Sequence, residues 1–291
     1  MEQSDALIAV DIGNSFMKFG FYESGLMKDP FPLPDSICVE ATSSFSDLFD
    51  WLDKQGVRFL HLHWMIASVN AKRTASLQNW LKRNRSRDQV QVLALADIPL
   101  KIRYDYPEKL GLDRAVAAYA AKEQLDYSGP ILVVDIGTAT TIDLIDEEGT
   151  FVGGAILPGP QIAAQVLFEK TAQLPHAGWN PISASQDPGD AERIAHYPAS
   201  NTEMGIESGI RSSMIGSIYS FYLDSMIYLK RDARSLFPIL IAERGNNLIE
   251  KPLRELFEKG KSIFQGNSIP PISTSPYLIL SGLALLHRKS F

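Results

Sequence analysis

Polar and apolar positions along this chain follow two periods: short apolar runs of strand type, and stripes with helical spacing. Residues 131–134 form a continuous apolar run rich in β-branched side chains, as suits a strand covered on both faces. Asp135 breaks the run at its end, Gly137 lets the backbone come close to whatever fills the turn, and Thr138, Thr140 and Thr141 add hydroxyls. Residues 131–146 therefore read as a hairpin around a polar turn. Such a turn offers N–H groups and hydroxyls to an anion, with Asp135 facing a cation. An ordinary threonine-rich hairpin is the alternative. Residues 9–21 shift the balance, because Val10-Asp11-Ile12-Gly13 repeats Val134-Asp135-Ile136-Gly137 at the same junction of apolar run and hairpin. Two such hairpins predict two related domains.

In chain order, residues 7–10 and 16–23 form the first hairpin. A helix over 44–54 carries Phe45, Leu48, Phe49 and Leu52 on one stripe, with Ser44 and Asp47 placed as a capping box. A strand over 59–68, a helix over 74–83 and a strand over 90–95 continue an α/β alternation. An aromatic, proline-containing loop from 101 then leads into an alanine-rich helix beginning near Asp113. Beyond the central hairpin, 151–161 is a strand ending in a Pro-Gly turn, with Gly153 and Gly154 permitting close backbone approach, and 162–171 is a helix. Residues 174–202 form a long connection of the kind that covers a site. A long helix over 203–229 follows, with Ile206, Ile210, Met214 and Ile218 as its stripe and Gly205, Gly209 and Gly216 allowing another helix close. It suits a dimer contact or an intramolecular core equally. A strand over 237–242 and helices over 252–259 and 277–287 complete the chain.

Composition narrows the classes. The 291 residues, 45% hydrophobic, suffice for a sizeable core in two domains. A net charge of −6 argues against a nucleic-acid partner. The basic cluster Lys82, Arg83, Arg85 and Arg87 reads as a solvated helix end. The single cysteine, Cys38, fits a reducing compartment and an inert thiol. The N-terminus lacks the basic residues and apolar length of a secretion signal, and no run nears the ~20 apolar residues of a membrane span. A cytoplasmic protein without a membrane partner is expected.

Candidate chemistry lies in two further places. Asp113 sits where a helix starts, the common place for an N-cap. With Gly111, Arg114 and the two tyrosines before it, the same position suits a small substrate at a helix N-terminus, Asp113 facing a hydroxyl and Arg114 a carboxylate. His61 and His63 share one strand face, but no third ligand is near in sequence, so a metal pair is disfavoured. His176 and His196 read as surface residues. No G-x-x-x-x-G-K-[ST] occurs, which excludes a P-loop kinase.

Four motifs in order carry a resemblance: DIGNS with Lys18, Y-x-x-P-x-x-L-G-L-D-R, DIGTATT, and GG-x-I-x-PG. Together they resemble the type III pantothenate kinases, also grouped as the Bvg accessory factor family, from about Leu7 to Gly209. The chain departs from the family at 242–247, where a Thr-Gly-Gly turn is replaced by Ala-Glu-Arg-Gly-Asn-Asn, while Leu280-Ser281-Gly282-Leu283 is similar to the family's closing helix.

The resemblance implies an α/β, actin-like and ribonuclease H-like duplicated fold of the ASKHA superfamily, with domains at 1–114 and 115–291. It implies ATP-dependent phosphorylation of pantothenate to 4'-phosphopantothenate, the first step of coenzyme A biosynthesis. Asp11, Gly13, Asn14, Ser15, Lys18 and Thr138 would hold ATP, Asp11 acting on Mg²⁺ and Asp135 on a monovalent cation, K⁺ or NH₄⁺. Tyr104, Gly111, Leu112, Asp113, Arg114 and Thr202 would bind pantothenate, with Asp113 as general base. A homodimer is implied. Another small-molecule kinase of the actin-like superfamily, or an inactive nucleotide-binding regulator, is the alternative.

Overall fold

Strand β1 (Leu7–Ile12) is buried along its whole length and has neighbours on both sides: β2 (Met17–Tyr22) antiparallel and β4 (His63–Ser68) parallel. This is a computed structural model that describes residues 6–23, 30–41, 44–57, 60–177, 197–232, 235–242, 249–261 and 268–290. With β3 (Ser36–Glu40) and β5 (Gln89–Val92) the first sheet runs β3-β2-β1-β4-β5. Helices α1 (Ser46–Lys54) and α2 (Ala71–Asn84) cover one face, where Ile8, Val10, Ile12, Phe19 and Trp64 form a core with Leu48, Leu77 and Leu81. Alternation turns Leu7, Ala9 and Asp11 to the other face. There pack α3 (Leu112–Leu125) and the last helix, α7 (Leu278–Ser290).

The chain divides by its contacts into Met1–Tyr127 with Tyr277–Phe291, and Ser128–Pro276. The sequence expectation cut at Arg114 and gave the C-terminus to the second half. Instead α3 stays with the first unit, because Val116 and Ala120 pack on Gly282 of α7. A short strand, β6 (Lys101–Ile102), precedes α3 in the chain.

The second unit repeats the topology of the first. Strands β7 (Ile131–Ile136), β8 (Ala139–Ile145) and β9 (Thr150–Pro158) form an antiparallel meander, and β10 (Ile239–Ala242) and β11 (Ile272–Thr274) add on parallel to β7, in the order β11-β10-β7-β8-β9. Both units thus have a meander whose first strand continues into a parallel pair, as the repeated Val-Asp-Ile-Gly predicts. Helices α4 (Pro160–Lys170), α5 (Thr202–Tyr228) and α6 (Glu250–Lys259) accompany this sheet. The expected stripe of α5 enters the core, each fully buried apolar side chain contributing roughly 1.5–3 kcal/mol. Tyr222 anchors the helix: its hydroxyl accepts from Phe237 N at 3.0 Å and donates to Phe237 O at 3.1 Å, while the rings stack at 4.6 Å. No described helix is long and apolar enough to cross a membrane.

Several local expectations change for tertiary reasons. The Ser44–Asp47 capping box does not form. Phe45 caps α1 in a left-handed conformation (φ 57°), and the first-turn amide of Leu48 donates instead to the buried Glu40 carboxylate of β3 at 2.8 Å. Helix α2 begins at Ala71, because the Asn70 side chain accepts from Arg73 N at 3.1 Å. Strand β5 ends at Val92, since Asp97 takes the Ala94 amide at 2.7 Å and turns the chain. Strand β4 starts only at His63, so His61 lies off the strand, and the His63 ring instead meets His287 of α7 edge-on at 5.0 Å. Arg85 is no solvated cation: it is clamped to Asp88 at 2.7 Å and donates to the Leu60 carbonyl at 2.6 Å. Burial pushes the Cys38 thiol up to about 11, as an inert thiol requires.

Candidate active site

In the first unit the hairpin places Asp11 directly opposite Lys18. The buried Asp11 carboxylate lies 3.4 Å from the half-exposed Lys18 ammonium. The chain turns between them through Gly13, Asn14, Ser15 and Phe16, with Gly13 N donating to Phe16 O at 3.0 Å. Gly13 and Ser15 are half-buried and Asn14 is exposed, so polar groups line the turn. Strand β4 runs parallel to β1, and Val69 N donates to Ile12 O at 3.1 Å, which brings the N-terminus of α2 to the same end of the sheet.

Helix α3 delivers the second group of residues. Its N-cap is Gly111, not Asp113, which sits one residue inside the helix. The Asp113 carboxylate folds back and accepts from Arg114 N at 2.9 Å. Gly111 makes this conformation accessible, because a Cβ there would stand 2.5 Å from Asp113 Oδ1 and 3.8 Å from Val69 Cγ1. Burial, the largest influence, raises the Asp113 pKa, and the negative charge of Asp11 adds to it; the Arg114 amide and guanidinium oppose them. The two carboxylates therefore share one electrostatic site. Arg114 is itself buried, its guanidinium 5.9 Å from the centre of the Tyr104 ring. Leu112 is buried in the same turn. Val69 and Asn70 escaped the sequence reading; the signal was there, as a Ser-Val-Asn end of strand meeting a capped helix.

In the second unit Asp135 pairs in register with Thr141 of β8 and with Ala242 of β10. Thr138 forms the turn with Gly137, and Gly159 fits against both: Gly159 N donates to Thr138 O at 3.1 Å, and a Cβ on Gly159 would collide with the carbonyls of Gly137 and Thr138. Gly154 packs in the same way on Ile142 O of β8. Thr202 opens α5 and lines a groove of about 550 Å³ with Thr140, Leu157, Gly205, Gly209 and Ser213. The Ala242–Asn247 departure and His196 lie outside the described residues, save Ala242 itself at the end of β10. His176 is exposed, with Phe168 beside it.

The family model described as type III pantothenate kinase matches residues 7–224. The chain belongs to this family. A type III pantothenate kinase from Dehalococcoides mccartyi is 30% identical over 272 residues, spanning 91% of this chain and 98% of its own. One from Synechococcus sp. is 36% identical over 202 residues, 68% of this chain and 70% of its own. The match to the type III pantothenate kinase of Persephonella marina, 31% identical over 176 residues, spans 58% of this chain and 66% of that protein. Among solved structures, a candidate N-acetylmannosamine kinase from Listeria monocytogenes superposes with a TM-score of 0.52 at 14% identity, covering 98% of this chain and 99% of that one. A candidate 2-dehydro-3-deoxygalactonokinase from Sinorhizobium meliloti gives 0.51 at 14% identity, with 99% of each chain covered. At that identity the likeness concerns fold alone. It agrees with the duplicated sheets, which have the actin-like, ribonuclease H-like α/β architecture.

Among the described residues no group of three or more His, Cys, Asp and Glu is gathered into a cation cage. One buried carboxylate at a phosphate-type turn suits Mg²⁺, which is carried mainly by nucleotide phosphates and water and takes one or two protein carboxylates.

Proposed function

We propose that this protein transfers the γ-phosphoryl group of ATP to the primary hydroxyl of pantothenate, giving 4'-phosphopantothenate and ADP, the first step of coenzyme A synthesis. The observation that carries the reading is the pairing of the Asp11–Lys18 turn with a buried, base-like Asp113 in a chain of this family.

Phosphoryl transfer passes through a loose transition state in which positioning and charge stabilisation supply most of the acceleration. Lys18 and the amides of the Gly13–Ser15 turn would hold phosphate oxygens, and Thr138 is a further nucleotide contact of this reading. Mg²⁺ on Asp11 would neutralise charge on the phosphates. Asp135 would hold a monovalent cation through its half-buried carboxylate at the end of β7. Arg114, steadied by Tyr104, binds the pantothenate carboxylate, while Gly111, Leu112 and Thr202 shape the substrate's surroundings. Asp113 orients the hydroxyl and takes its proton as the oxygen bonds to γ-phosphorus and the bond to the β–γ bridging oxygen breaks, releasing ADP. A raised carboxyl pKa suits this task, since a base works best when its pKa approaches the working pH.

A homodimer belongs to the same reading. Gly209 and Gly216 on α5 have nothing within 4 Å of where a Cβ would stand, which leaves room for a second copy to approach this helix. A cytoplasmic location agrees with the single buried cysteine and the substrates.

The test is ADP release by the purified protein with ATP, Mg²⁺ and pantothenate, with and without K⁺ or NH₄⁺, beside Asp113→Asn. Pantothenate-dependent release that the cation stimulates and the variant loses is expected. Protein that binds ATP but releases no ADP under any of these conditions would overturn the reading and favour a regulatory role.

A further inference from the structure

Helix α7 meets the strands and the helix of the first unit that bear the candidate site residues. It packs on β1, β2, β4 and α3. Two glycines make these approaches close. A Cβ on Gly20 of β2 would stand 3.2 Å from Leu280 Cδ1, and a Cβ on Gly282 would stand 2.9 Å from both Val116 Cγ1 and Ala120 Cβ of α3 and 3.2 Å from Val116 O. Farther along, Lys289 Nζ reaches Glu123 Oε1 of α3 at 3.1 Å and lies 5.1 Å from the centre of the Tyr119 ring.

These contacts connect to the chemistry through register. Gly20 pairs with Ala9, two residues before Asp11 on the same face of β1, and that face also carries the Asp11–Lys18 pair. Val116 follows Asp113 by three residues, so both lie on one side of α3. Helix α7 is thus held between the strands that carry the phosphate-side residues and the helix that carries the base.

We infer that Gly282 is a positioning residue for phosphoryl transfer: its missing side chain sets the depth at which α3 docks on α7, and so where the Asp113 carboxylate stands relative to Asp11 and Lys18. The inference rests on Asp113 as the base. A helix moves as a rod, so a displacement forced at Val116 and Ala120 arrives at Asp113, about one turn from the first and two from the second. Reaction needs the attacking and attacked atoms near ~3–3.5 Å, and a misplacement of about 1 Å costs on the order of 10²-fold.

Gly282→Ala in the full chain tests this, with kcat, KM for each substrate, the pH profile of kcat and Tm measured together. A roughly tenfold loss of kcat, well below the variant's Tm, is expected, with KM for ATP within about twofold of the original because the phosphate turn is untouched. The acid limb of the kcat profile shifts, since the burial of Asp113 changes. Ala120→Gly in the same chain, which removes one of the two 2.9 Å contacts, restores part of kcat, and adding Val116→Ala, which removes the other, restores more. Leu81→Ala, a core deletion under α2 away from α3, is the stability control and retains kcat while lowering Tm. Should Gly282→Ala not fold, Val116→Ala loosens the same contact and is expected to lower kcat without raising KM for ATP. Normal kcat with only a lower Tm, or an equal loss of kcat in Leu81→Ala, would overturn the inference. Absence of pantothenate-dependent turnover in the unaltered protein would instead sink the functional reading beneath it.

Discussion

Lys18 Nζ stands 3.4 Å from Asp11 Oδ2 across a register pair, so the positive and negative poles of this turn are fixed by strand pairing and not by the loop between them. The lysine side chain is 39% exposed, and a pair so open to water contributes only about 0–1 kcal/mol to folding. Lys18→Ala is therefore expected to leave Tm nearly unchanged while raising KM for ATP by about 10–100-fold, the loss of a charge-assisted hydrogen bond to phosphate. Steady-state kinetics beside a thermal melt separate the two effects.

Asp113→Asn should lower kcat by about 10²–10⁴-fold. It should also stabilise the fold. Because burial raises this carboxyl, the folded chain binds the proton more tightly than the unfolded chain. Stability therefore falls as pH rises from the unfolded value, about 3.9, through the raised folded one. The Asn variant is expected to melt higher than the original above that range, with the advantage disappearing at and below about pH 4. Melting both proteins across that range checks the sign.

On the proposed role of Asp113, the same raised carboxyl would set the acid limb of activity. Turnover is expected to decline as pH falls through a value above that of an ordinary aspartate, because protonated Asp113 cannot take the hydroxyl proton. A kcat profile whose acid limb sits at or below the ordinary aspartate value would contradict the assignment.

Gly111→Ala places a methyl 2.5 Å from Asp113 Oδ1, and the carboxylate must swing away from the Arg114 amide. A kcat loss of about 10²-fold is expected, with KM for ATP little changed. An alanine variant with full turnover would show that the folded-back carboxylate is not the reactive arrangement.

In the second unit Gly159→Ala meets backbone and not a movable side chain, namely the carbonyls of Gly137 and Thr138. Overpacking of this kind costs about 1–3 kcal/mol, so Tm should drop by roughly 2–8 °C, and nucleotide affinity should fall as the Gly137–Thr138 turn is displaced. Calorimetry of unfolding and of ATP binding reads both.

The duplication was legible in the sequence because strand, aspartate and glycine recur together, and hairpin pairing is a local affair. The stripe of α5 was equally plain, since twenty-seven helical residues give the 3.6-residue period room to show. What the sequence concealed was set by distant partners. Glu40 caps α1 from another element, and Asn70 caps α2 so that it starts three residues ahead of the expected helix over 74–83. Asp113 resembled a cap, and only the geometry of Gly111 shows its carboxylate inside the first turn. The unit boundary was hidden for the same reason, because nothing local says that the helix over 278–290 packs against strands some 250 residues earlier.

That discontinuity bears on how the molecule is made. A nascent chain emerges in order, so β1, β2 and the helix bearing Asp113 leave the ribosome long before α7 exists to cover their second face. The second unit, continuous from Ser128 to Pro276, has all its own strands and helices before the first is complete. The half that carries the candidate base is then the last to close, and until it does, Leu7, Ala9 and the alanine-rich face of α3 stand open to water and to other nascent chains.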